Sequence, residues 1–133
     1  MLLLGCKPPS RNTEQHDVFF GIAANLAGLV PAVYRAWPEA AGKIHIDAWR
    51  EISQVDGYRV RVYPREERKP VSGEPLPKLF FINLGGYKPN EFEEFHYKLV
   101  AACESKTVAI RYAKQTAFYK HTGMTGAPSH IDD

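Results

Sequence analysis

Cysteine, methionine and tryptophan are scarce in this sequence, at two residues each among 133. Cys6 and Cys103 cannot build a disulfide framework, and two unpaired thiols suit a reducing compartment, so a cytoplasmic location is expected. Charge of one sign is also lacking. The 17 basic and 15 acidic residues leave a formal +2, too balanced to point to a polyanion, and nucleic acid is not expected as a partner. No apolar run approaches the roughly 18 residues that cross a bilayer, so no membrane partner is expected either. A Gly-rich phosphate loop, a CxxC pair, HExxH and GxSxG are all missing, which removes the common nucleotide, zinc and acyl-transfer signatures. Leu2-Leu3-Leu4-Gly5-Cys6 has the form of a lipoprotein cleavage box, but only five residues precede Cys6 and none is basic, too little for a signal.

What the sequence has is a repeat at an offset of 80. Leu4-Gly5 falls on Leu84-Gly85, Pro9 on Pro89, Glu14 on Glu94 and His16 on His96, five identities where chance gives about one. Asn25 then lies over Ser105, and both types accept hydrogen bonds at a helix start. Downstream, Leu29, Val30, Val33 and Trp37 lie over Ala109, Ile110, Ala113 and Ala117, with the spacing of one helix face. Finally His45-Ile46-Asp47 recurs as His130-Ile131-Asp132 after five extra residues.

These features predict an α+β protein of two pseudo-repeats, each strand-strand-helix-strand with a further strand in the first. The sheet is expected to be mixed and mostly antiparallel, carrying two helices. The first unit covers 1–64, a Pro-rich linker 65–78, and a truncated second unit 79–133, within one compact domain. First strands are expected at Met1–Cys6 and Leu79–Gly86, second strands at Val18–Ala24 and Phe95–Cys103, and helices at 26–37 and 106–120. Pro31 either kinks its helix or marks where the regular part begins. Lys43–Ser53 and Tyr58–Tyr63 alternate around Asp56-Gly57, a two-residue hairpin signal.

Glu14-x-His16-Asp17, Trp37-Pro38, His45-Ile46-Asp47-Ala48-Trp49, Val55-Asp56-Gly57-Tyr58 and Leu84-Gly85-Gly86-Tyr87 resemble the domain of unknown function 1543 family. The resemblance implies bacterial proteins with one or two copies of the domain. It implies no activity.

Imidazoles and carboxylates form the chemical constellations. His16, Asp17, His45, Asp47, Trp49, His96, His130 and Asp132 are the candidate ligand-binding residues, and the Glu-x-His loop and His-Ile-Asp strand of each unit are expected to meet. If 43–53 is a strand, His45, Asp47 and Trp49 share one face. Because both units keep these motifs, a structural latch is the first reading, ligand binding the second, and metal binding or catalysis the third. No catalytic residue is assigned, and no cofactor or metal is expected. Arg59, Arg61 and Arg65 read as solvent-facing edge protection, and Trp37 as core. The working function is a small cytoplasmic binding or interaction module that takes a small-molecule ligand or a second copy of itself. The alternative is a small hydrolase-like, metal-dependent enzyme using His and Asp.

Overall fold

The protein is described from a computed structural model that places residues 1–40, 42–67, 76–123 and 126–132. Most of the linker expected at 65–78 lies outside these described residues. The chain divides into two compact units, Met1–Ser53 and Gln54–Asp133. Every strand pairing among the described residues is antiparallel, and the class is α+β.

In the first unit, β1 (Leu2–Cys6) lies between β2 (Gln15–Phe19) and β3 (His45–Trp49). Alternation along β1 sends Leu2 and Leu4 into a core with Val33, flanked by Phe19, Leu29, Trp37, Ile44 and Ile46. Leu3 and Gly5 belong to the opposite face. Between β2 and β3 the chain turns helical. Asn25 is extended, with φ −156°, and its side chain accepts from the Gly28 amide, satisfying a donor that the first turn leaves open. A 3-10 turn over Leu26–Leu29 leads into α1 (Val30–Ala36), which places Pro31 in its first turn. The missing N–H costs nothing there, so the regular helix begins at Val30 with the proline in its first turn and does not kink. The second strand lies three residues earlier than expected, because its ladder with β1 runs from Cys6–Gln15 to Leu2–Phe19. Residues 20–24, expected as its end, are exposed.

The second unit opens with the Asp56-Gly57 hairpin joining β4 (Gln54–Val55) to β5 (Tyr58–Arg59). Both turn residues have positive φ, 47° and 83°, as a two-residue turn matched to strand twist requires. Asp56 also accepts a 2.8 Å hydrogen bond from the Ala102 amide. That residue belongs to β7 (Glu94–Cys103), which pairs along its full length with β6 (Lys78–Tyr87), while β8 (His130–Asp132) pairs with the other edge of β6. Ile82 and Leu84 pack with Ala101, Cys103, Ala109 and Ala113.

The helix expected over 106–120 is two helices, α2 (Lys106–Ala113) and α3 (Ala117–His121). Thr116 makes the break. It adopts extended dihedrals, donates its hydroxyl to the Ala113 carbonyl, and accepts from the Tyr119 amide, ending one helix and capping the next.

Candidate functional site

In the first unit, Gly5 pairs with His16 on one side and His45 on the other. Residues directly opposite in antiparallel strands share a face, so both imidazoles rise from the sheet on either side of a residue without a side chain. Glu14, two residues before His16, and Asp47, two after His45, complete the group. His45 Nε2 lies 3.0 Å from Glu14 Oε1 and 3.1 Å from Asp47 Oδ1. His16 Nε2 lies 3.7 Å from Glu14 Oε2 and 3.4 Å from Asp47 Oδ2. Each carboxylate thus reaches both imidazoles, one oxygen apiece.

The second unit repeats the arrangement. Gly85 pairs with His96 and His130. His130 Nε2 lies 2.9 Å from Glu94 Oε1 and 3.1 Å from Asp132 Oδ1, and His96 Nε2 lies 3.5 Å from Asp132 Oδ2.

The glycines make room for these groups. A Cβ on Gly5 would stand 2.5 Å from His45 Nε2 and 2.6 Å from Asp47 Oδ2, and one on Gly85 would collide with His130 and Glu94. Glycine weakens the interior of a strand, where it has no side chain to pack, and its presence there often marks close approach of another group. Here that group is the cluster.

Among the described residues, the second cluster has supports that the first lacks. Asn83 pairs with Asp132 and donates its Nδ2 to Asp132 Oδ2 at 2.6 Å, leaving its Oδ1 buried without a partner among the described residues. Tyr87 pairs with Glu94 across the ladder. Hydrogen bonding toward the Glu94 side chain, then burial and the charges of Glu94 and Asp132, hold the Tyr87 phenol above its ordinary pKa. The Tyr87 ring also stacks on His130, with centroids 6.0 Å apart. In the first unit the corresponding positions hold Leu3 and Lys7.

Six of the eight candidate residues are therefore brought together, three in each unit: His16, His45 and Asp47, and His96, His130 and Asp132. Two are not. Asp17 pairs with Leu4, on the face opposite the cluster, and accepts from the Val18 amide. A register shift between Leu3 and Leu4 pairs Trp49 with Leu2, so the alternation that would align it with His45 and Asp47 is broken. Trp49 is exposed. Four residues outside the candidate set belong to the clusters, Glu14, Glu94, Gly5 and Gly85, and all were visible as identities at the offset of 80.

Among the described residues, no group of three or more His, Cys, Asp or Glu side chains is placed, as it stands, to hold a metal ion. The clusters are also open to solvent, with side-chain exposure from 29% at Asp47 to 51% at His45. Exposed ion pairs are worth only about 0–1 kcal/mol each. As a latch alone, the arrangement returns little for ordering four polar side chains over a strand weakened by glycine.

Residues 11–62 match the family Domain of Unknown Function (DUF1543). The matched stretch contains Glu14, His16, His45 and Asp47. No curated protein and no solved structure matches the chain. Among the described residues, no helix is long and apolar enough to cross a membrane.

Proposed function

We propose that this protein is a small binding module built from two copies of one strand-strand-helix-strand unit, each presenting an imidazole–carboxylate cluster as its ligand site. The observation that carries the reading is the shared placement of the clusters over Gly5 and Gly85. Two imidazoles and two carboxylates on an open sheet face suit a small polar ligand better than a large apolar one. The buried free thiols of Cys6 and Cys103 fit a cytoplasmic setting.

Native mass spectrometry of freshly purified full-length protein, followed by a thermal-shift screen of small polar ligands, tests the reading. A His45→Gln, His130→Gln double variant serves as the control. A retained mass or a ligand-induced rise in Tm that the double variant loses supports it. Ligands that stabilise both proteins equally would contradict it, as would catalytic turnover that survives the double substitution.

A further inference from the structure

We infer that the ligand each cluster takes is a divalent transition-metal cation of the zinc class, held by two imidazoles and two carboxylates, with the second unit binding more tightly. This rests on the reading of the clusters as ligand sites.

The first argument is a count of protons. In the first unit, two Nε2 atoms face four carboxylate contacts; in the second, two face at least three. An Nε2 carries at most one proton, and an ionised carboxylate carries none. Two N–H groups cannot serve all these contacts. A cation held by both Nε2 lone pairs and by an oxygen of each carboxylate removes this shortage of protons. Mixed imidazole and carboxylate donors suit zinc and its first-row neighbours better than the all-oxygen shells of calcium and magnesium.

The second argument is distance. With metal–ligand bonds of about 2.0–2.1 Å, the donors of a tetrahedral site stand about 3.3–3.4 Å apart. The nitrogen–oxygen contacts span 3.0–3.7 Å in the first unit and 2.9–3.5 Å in the second, which brackets that spacing, although the two imidazoles of the first unit face different oxygens of each carboxylate. Because the groups are not placed, as they stand, to hold a metal ion, binding has to draw them in. That needs side-chain rotation only, in partly exposed groups above a strand that glycine leaves bare.

The third argument separates the two sites. Ligating carboxylates are commonly held by hydrogen bonds from behind, and losing such a partner typically weakens a metal site about 10–100-fold. Asp132 accepts from Asn83, and Glu94 lies opposite Tyr87 in the ladder. Leu3 and Lys7 stand at those positions in the first unit, so its cation affinity is expected to be lower by a factor of that order.

The test is titration of the full chain with zinc by calorimetry, and with cobalt by visible absorption, alongside His45→Gln, His130→Gln and His121→Gln variants. Circular dichroism confirms that each is folded, and Glu14→Gln and Glu94→Gln replace any variant that is not. The expected result is two cations per chain for the parent and for His121→Gln, and one for each cluster variant. His130→Gln should keep only the weaker site. Parent protein that binds neither cation, or cluster variants that still bind two, would overturn the inference. If neither metal binds but another small ligand stabilises the parent and not the double variant, the cation is wrong and the ligand-site reading stands. If no binding depends on these histidines, both fall.

Discussion

His45 Nε2 stands 3.0 Å from Glu14 and 3.1 Å from Asp47, so a single ring nitrogen on one edge strand faces carboxylates from both edges of the first sheet. The contact with Glu14 bridges the ends of the segment that runs from the second strand through the helix and back to the sheet. Their value as a fastening is nevertheless limited by solvent. His45→Gln is expected to lower unfolding stability by no more than about 1 kcal/mol, measured by urea denaturation with an unchanged m-value. A loss of several kcal/mol would restore the latch as the main role.

Tyr87 offers a separate handle on the second cluster, because it pairs with Glu94 across the ladder and stacks its ring on His130. Tyr87→Phe keeps the ring and removes the hydroxyl beside Glu94. The second site should lose about 10–100-fold in cation affinity, the first should be unaffected, and the melting temperature should barely move. Equal weakening of both sites in calorimetry would argue against this role.

Cys103 is buried at the end of β7, and its thiol pKa is raised by that burial and then by the negative charges of Asp56 and Glu104. The folded protein therefore keeps this proton at pH values where the unfolded chain has released it. Between the ordinary thiol pKa and the raised one, the native state binds more protons, so this contribution to stability falls as pH rises through that window. Alkylation of Cys103 by iodoacetamide in native protein should be slow at neutral pH and accelerate only above the ordinary thiol range. Rapid labelling at pH 7 without unfolding would contradict this assignment.

Much of the site was readable from the chain because its parts are local motifs repeated in order. Glu-x-His, Leu-Gly and His-Ile-Asp each occur twice, and the Asp56-Gly57 turn and the Asn25 and Ser105 caps are set by chemistry within a few residues. Features that depend on pairing across a sheet were not. The ladder from Cys6–Gln15 to Leu2–Phe19 moved β2, and the register shift between Leu3 and Leu4 separated Trp49 from His45. Thr116 broke the second helix in a stretch where no glycine or proline signals an end. The reach of Glu14 to His45, and the support of Asp132 by Asn83, follow from strand register and could not be read from spacing alone.

The most direct measurement is a long-range ¹H–¹⁵N spectrum of the histidine rings, recorded as zinc is added to full-length protein. Five histidines are present, and His121, at the end of α3 outside both clusters, is the internal control. The Nε2 resonances of His16, His45, His96 and His130 should shift to metal-bound values, those of His96 and His130 at lower zinc concentration, while His121 stays in place. Four unmoved cluster histidines at saturating zinc, or a His121 that shifts along with them, would contradict the account.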